Sequence, residues 1–298
     1  MPLSGTWAEG LISKLFRDIA RGIASGLFPD ICMSCNEWIE PDRCGVDEPA
    51  PTGRFSLEGE TPERLFKAVM GRHLCRMCLD AYAPVSPPFC TRCGVQFRSR
   101  SVEGHLCGRC ITKPVHQGVS GETFISARAC GQYSGTLKNT VHAYKYLGKY
   151  GLGRPLGTLL HAYYVKHFAE KGIDWVVPVP LHRKKLVARG FDQVTGMLRH
   201  WPWTSANGSR FLDNGTALAE NLLQRVKHTD TQTGLDRKQR GANVKNAFAV
   251  TGAVPVKRKR VLIVDDVYTT GATLEECARA LQRAGASEIY VLTLARAM

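Results

Sequence analysis

No apolar run in this 298-residue chain approaches the roughly 18 residues that a membrane-spanning helix needs. A secretory leader is lacking as well. Glu9, Arg17 and Asp18 interrupt any apolar stretch near the start, and no small-residue cleavage site follows one. Both absences point to a cytoplasmic protein. Acidic residues are scarce beside basic ones: 26 Asp and Glu stand against 40 Lys and Arg, for a formal net charge of +14. A surface of that sign suits polyanions, whether nucleic acid or phosphorylated small molecules. The Walker-type phosphate motif GxxxxGK[ST] does not occur. The run Gly151-Leu152-Gly153-Arg154-Pro155-Leu156-Gly157 matches a dinucleotide loop only loosely, and no apolar strand precedes it. It reads as a turn and helix start, with Pro155 in the first turn.

What remains is ordinary globular material, 44% hydrophobic and 22% charged, with 11 cysteines arranged informatively. Eight of them form CxxC pairs: Cys32/Cys35, Cys75/Cys78, Cys90/Cys93 and Cys107/Cys110. One CxxC also occurs in redox motifs. Four in succession, in a reducing compartment, point to metal. Tetrahedral Zn2+ takes four thiolates, and two such knuckles supply them. The third and fourth pairs are separated by the thirteen residues 94 to 106, close to the usual spacing. Gly94 and Gly108 permit the tight turns.

Sequential pairing closes the shortest loop. A cross-braced pairing, first with third and second with fourth, is the alternative. Four cysteines leave no open coordination position, so the two zinc ions expected are structural rather than catalytic. Each Zn(Cys)4 site carries a net charge of about −2, which would bring the chain to roughly +10. Cys44, Cys130 and Cys277 stand alone and are given no role.

Three regions follow: residues 1–30, 31–116 and 117–298. In the first, Leu11, Leu15, Ile19 and Ile23 recur every four residues and predict an amphipathic helix over residues 7 to 28, ended by Pro29. It would dock on its own protein or a partner; a membrane-surface anchor is the alternative. The second holds the cysteines and a polar insertion, Pro41 to Glu63, most of it read as an exposed, mobile loop. In the third, strand-like and helix-like segments alternate, as in an α/β fold with a parallel sheet and helices on both faces. Strands are expected at Thr123–Tyr133, Asp174–Val179, Arg260–Val264 and Ile289–Leu294. Helices are expected at Thr136–Tyr146, Pro155–Glu170, Asp192–His200, Thr216–Val226 and Thr273–Ala284, the last capped by Gly285.

The chemistry concentrates near the end. Val261 to Val264 runs into Asp265 and Asp266, and Thr269-Thr270-Gly271-Ala272-Thr273 then opens a helix. In an open α/β sheet, ligands bind outside the carboxyl ends of the strands. The helix start leaves amides free for a phosphate. Gly271 lets the backbone approach, and three threonine hydroxyls add donors. The adjacent carboxylates suit the vicinal hydroxyls of a ribose.

VLIVDDVYTTGAT resembles the phosphoribosyl-diphosphate signature of type I phosphoribosyltransferases. The chain from Cys32 to Ala297 resembles the ComF family, named for competence for DNA uptake, which joins a double zinc ribbon to a phosphoribosyltransferase-like domain. The resemblance rests on the four CxxC pairs, Ala143-Tyr144-Lys145-Tyr146, Val177-Pro178-Val179-Pro180-Leu181-His182 and Arg189-Gly190-Phe191-Asp192-Gln193. It also includes Thr231-Gln232 with Leu235, Arg237, Arg240 and Asn243. Asp192 departs from the family, which usually has Asn there.

The resemblance implies that Asp265 and Asp266 hold the ribose hydroxyls and that Thr269, Thr270, Gly271, Ala272 and Thr273 cradle the 5′-phosphate. Pro180, Leu181 and His182 would lie near the diphosphate, and Arg237 to Asn243, with Arg240, on a mobile loop over the site. Phosphoribosyl diphosphate is usually handled with Mg2+. Basic residues cluster at Arg183, Lys184, Lys185 and Arg189, and again at Arg225, Lys227, Arg237, Lys238 and Arg240. The expected function is phosphoribosyl transfer, a pentosyl glycosyltransferase reaction within nucleoside metabolism. The alternatives are a non-catalytic competence factor handling single-stranded DNA with competence-machinery proteins, and a sensor of phosphoribosyl diphosphate.

Overall fold

A computed structural model of the chain describes residues 30–39, 60–97, 104–112, 123–206, 208–227, 244–252 and 255–298. The expected N-terminal helix, Cys44, most of the polar insertion and the loop from Arg237 to Asn243 lie outside the described residues. Where the insertion re-enters, Pro62 and Glu63 are already helical. They open α1 (Pro62–Met70), and the Thr61 hydroxyl caps it by accepting from the Arg64 amide at 3.3 Å. Leu65, Phe66, Val69 and Met70 are its buried face. Two short helices, α2 (Arg76–Asp80) and α3 (Gly108–Ile111), each follow directly on a cysteine, Cys75 and Cys107.

The rest is a seven-stranded sheet flanked by helices, with a separate two-stranded sheet beside it in the chain. In chain order it contains β1 (Ser126–Gln132), α4 (Gly135–Tyr146), α5 (Gly153–Phe168), β2 (Trp175–Pro178), α6 (Arg183–Arg189) and α7 (Gln193–Leu198). Next come β3 (Thr204–Ala206), β4 (Ser209–Phe211), β5 (Ala217–Leu218), β6 (Leu223–Arg225) and β7 (Phe248–Val250). The chain closes with β8 (Arg260–Tyr268), α8 (Ala272–Arg283) and β9 (Glu288–Arg296). The strand order is β1-β9-β8-β2-β5-β4-β3, and β6 pairs with β7 separately. The pairs from β1 through β5 are parallel; β4 and β3 add an antiparallel edge.

β8 lies in the interior of this sheet, which explains its unbroken apolar run. Val261 and Ile263 pack with Val177, Leu274, Cys277 and Leu281 in one layer. Leu262 and Val264 pack with Leu156, Leu160, Tyr164 and Leu292 in the other. Burying each such side chain contributes about 1.5–3 kcal/mol. Leu274, Cys277, Ala278 and Leu281 form the buried stripe of α8 at helical spacing. The two cysteine modules join opposite layers: Cys32, Phe66 and Met70 belong with α5, whereas Cys90, Cys93 and Cys110 belong with α8.

The expected helices and strands of the third region are found, with one exception. The segment Thr216–Val226, expected as a helix, forms β5 and β6 instead. Gly215, with φ of +83°, turns the chain, and Ala217 and Leu218 then pair with Trp175 and Val176. The Ala219 amide donates to the Val176 carbonyl at 2.9 Å. The open edge of β2 outweighs the local helical spacing of Leu218, Leu222 and Leu223. The last helix ends at Arg283 with Ala284 as its C-cap, and Gly285 follows with φ of +90°. No helix among the described residues is long and apolar enough to cross a membrane.

Candidate functional site

All the parallel strands end on one edge of the sheet, and β8 carries the paired carboxylates there. Asp265 and Asp266 lie within the strand itself, Asp265 in register with Thr293 and the preceding Val264 with Pro178. A cavity of about 200 Å³ opens beside them, lined by Tyr133, Lys145, both aspartates and Thr269 to Leu274.

The two carboxylates differ. Asp266 is buried and fully engaged: Lys145 Nζ stands 2.7 Å from Oδ1, and Gln193 Nε2 donates to Oδ2 at 2.8 Å. Arg189 in turn donates to Gln193 Oε1 and lies over the Tyr146 ring, 4.9 Å from its centroid. Asp265 Oδ1 accepts only the neighbouring Asp266 amide, at 2.8 Å, among the described residues. Loss of solvent, then the charge of Asp266, holds the Asp265 carboxyl well above the usual carboxylate range, and Lys145 only partly offsets this. Burial works against the Lys145 charge, but Asp266 and Asp265 outweigh it and raise the ammonium pKa. Nearby, burial and the charges of Arg225, Arg189 and Lys145 depress Lys185. These cations crowd one another beside the carboxylates, an arrangement that an anion would relieve.

The loop between β8 and α8 presents its backbone. Gly271 is the N-cap of α8 in a left-handed conformation, φ +83°, and a Cβ there would stand 2.6 Å from the Tyr268 ring. Among the described residues, the Thr269, Thr270 and Gly271 amides have no protein acceptor, while Ala272 N makes a long contact of 3.4 Å to Thr270 Oγ1. Free amides at a helix start form an anion site.

The expected diphosphate turn is less direct. Pro180, Leu181 and His182 do not line this cavity. His182 Nδ1 accepts the Lys184 amide at 3.2 Å and caps α6. Asp192 accepts Leu181 N at 3.3 Å and Thr195 N at 2.9 Å, so both of its partners are donors. Sequence reasoning gave no role to Lys145, Gln193 or Tyr133. The first two sat in recognised motifs, and a buried carboxylate beside them was the missing signal.

The eight cysteines form two clusters, Cys32/Cys35/Cys75/Cys78 and Cys90/Cys93/Cys107/Cys110, each with its sulfurs within 4.8 Å of one another. Pairing is therefore sequential. Cys35 and Cys75 sulfurs are 3.6 Å apart, and those of Cys93 and Cys107 3.7 Å. A tetrahedron with Zn–S bonds of about 2.3 Å has edges of roughly 3.8 Å, so both clusters fit zinc. The Cys107 amide points at Cys90 Sγ, 3.3 Å away, as donors do around a thiolate.

Comparison with known proteins agrees with this anatomy. The phosphoribosyl transferase domain family matches residues 212–298. Competence protein F of Haemophilus influenzae is 32% identical over 216 residues, covering 70% of this chain and 85% of that protein. The chain belongs to the ComF family. Within ComF relatives, the DNA utilization protein YhgH of Salmonella typhimurium is 30% identical over 231 residues, 76% of this chain and 91% of that protein. Competence protein ComFC of Streptococcus pneumoniae is 28% identical over 172 residues, 58% and 69% respectively. In this ComF protein the domain match begins at Leu212 and so contains β8, the aspartates and the whole loop to α8.

Proposed function

We propose that this protein binds 5-phosphoribosyl diphosphate at the carboxyl end of β8 and transfers the phosphoribosyl group to a nucleophile. The reading is carried by one juxtaposition: amides at Thr269, Thr270 and Gly271, unpartnered among the described residues, open a helix directly beyond a carboxylate, Asp265, that lines the same cavity. The 5′-phosphate takes the amides and the threonine hydroxyls; the ribose hydroxyls donate to Asp265, with Asp266 held behind it by Lys145 and Gln193. Lys185 and Arg225 then face the diphosphate. In transfer, the bond from the ribose C1 to the diphosphate oxygen breaks, the electron pair leaves with diphosphate, and the acceptor bonds to C1 as it gives up a proton. The protein stabilises the leaving charge and keeps water away. Mg2+ belongs with the diphosphate, since it takes hard oxygen donors of the kind that diphosphate and Asp265 offer. Each cysteine cluster holds one structural zinc.

The experiment is calorimetric titration with phosphoribosyl diphosphate and Mg2+, on the wild type and on Asp265→Asn/Asp266→Asn. Binding by the wild type and its loss in the double variant, at unchanged zinc content, is expected. Equal binding by both would remove the site. A diphosphate-release screen across nucleobases, amines and DNA then seeks the acceptor.

A second reading, handling of single-stranded DNA during uptake, is favoured by the relatives' names and by the net charge of +14. It requires single-strand affinity that falls steeply with salt. Salt-insensitive or absent binding would remove it.

A further inference from the structure

The second cysteine cluster and the loop after β8 are joined at two independent points. Arg109 lies on α3, between Cys107 and Cys110. Its Nη2 donates to the Thr270 carbonyl and stands 3.3 Å from Glu275 Oε1 in the first turn of α8. The second link runs underneath. Arg296, at the end of β9, donates from Nη2 to Cys93 Sγ at 3.3 Å, and its guanidinium lies 3.9 Å from the centroid of the Tyr268 ring. Tyr268 is the floor of the loop, for it is the ring that a side chain at Gly271 would strike.

We propose that Arg109 and Arg296 are positioning residues through which the Cys90/Cys93/Cys107/Cys110 cluster sets the phosphate loop in its binding form. This deepens the proposed phosphoribosyl-diphosphate reading and rests on it.

The peptide bond makes the first link directional. The Thr270 carbonyl and the Gly271 amide belong to one planar trans peptide, so they point in opposite directions. Arg109 fixes the carbonyl on the cysteine-cluster side, and the Gly271 N–H is thereby turned away from that cluster. Gly271, with its left-handed φ, has the widest conformational freedom in the loop, so this peptide is the one that most needs fixing.

Charge makes the second link depend on the cluster. Arg296 is 3% exposed, and its Nε and Nη1 have no partner among the described residues. A buried guanidinium without a carboxylate needs other negative charge nearby. A thiolate cluster holding zinc supplies it, at about −2 net, through Cys93. Without the metal the four cysteines take up protons and become neutral thiols, so Arg296 loses its counter-charge.

Among the described residues, the first cluster makes no corresponding contact with the loop. It packs in the opposite layer, with α1 and α5.

The test uses the full chain and three variants: Arg109→Ala, Cys107→Ser and Cys35→Ser. Zinc content, hydrogen–deuterium exchange across residues 268–273 and calorimetric affinity for phosphoribosyl diphosphate with Mg2+ are measured for each. Arg109→Ala is expected to keep both zinc ions, to speed exchange in the loop and to weaken binding by at least about tenfold, as loss of a charge-assisted hydrogen bond predicts. Cys107→Ser is expected to lose one zinc and to speed the same exchange. Cys35→Ser is expected to lose one zinc and leave loop exchange as in the wild type. Native exchange and affinity in Arg109→Ala would overturn the proposal, and so would equal loosening of the loop by the two cysteine variants. If the wild type binds no phosphoribosyl diphosphate, the proposed function fails while the exchange comparison still decides the coupling.

Discussion

Lys145 reaches from α4 to Asp266 on β8, placing its ammonium 2.7 Å from the carboxylate. Both side chains are largely withdrawn from water, so neither charge is tolerable alone. Lys145→Met leaves Asp266 with Gln193 as its remaining partner. Breaking such a pair costs about 3–5 kcal/mol. Urea unfolding should show a loss near the lower figure, because the Gln193 hydrogen bond persists. Lys145→Met with wild-type stability would show that the pair is solvated.

Asp265 carries the opposite sign of pH dependence from most native carboxylates. Its folded pKa is raised by burial and by Asp266, above a value near 3.8 in the unfolded chain. The folded state therefore binds its proton more tightly, and ionising Asp265 at neutral pH weakens the fold. Asp265→Asn removes that cost. The variant should be more stable than the wild type at pH 7 to 8, and the gap should close as the pH falls towards about 4. The same variant should bind phosphoribosyl diphosphate poorly, since a binding carboxylate is held at the expense of stability. Thermal unfolding across pH measures the first effect; a gap that widened in acid would refute the assignment.

Most of the fold was readable because it is written in period and punctuation. The buried stripe of α8, the run Val261–Val264 and the glycine after Ala284 each carry a local cause. The cysteine pairing was readable for the same reason, since it follows the shorter loop. Thr216–Val226 was not, because its conformation is imposed by the edge of β2, over forty residues earlier in the chain. The site divides similarly. Asp265, Asp266 and the loop to Thr273 form one contiguous segment with a chemical signature. Lys145, Gln193 and Arg109 reach that segment only through the fold, and no spacing in the sequence relates them to it.

Gly271 combines a positive φ with a ring pressed against the missing side chain. Gly271→Ala must strain the backbone and displace Tyr268 together. Strain of this kind costs on the order of 1–3 kcal/mol. The loop carries it most directly, so affinity for phosphoribosyl diphosphate should fall by about 5- to 150-fold while both zinc ions remain. Calorimetry and metal analysis on one sample would separate the two. An alanine variant that bound like the wild type would mean that the loop adopts another form with ligand.

Asp192 uses both of its carboxylate oxygens, and its surroundings explain why a carboxylate works. One oxygen accepts the Thr195 amide and starts α7; the other accepts the Leu181 amide and ties down the turn after β2. Asparagine offers one acceptor oxygen and one donor group, so Asp192→Asn turns an NH2 towards one of those amides. The N-cap bond is the shorter and should survive. The Leu181 contact should be lost, at a cost of about 1 kcal/mol in chemical unfolding. Asp192→Ala removes both and should cost about 2 kcal/mol, as a missing N-cap does at the upper end of its range. Equal stability of the asparagine variant and the wild type would show that the Leu181 contact contributes nothing, leaving the helix cap as the whole role of the side chain.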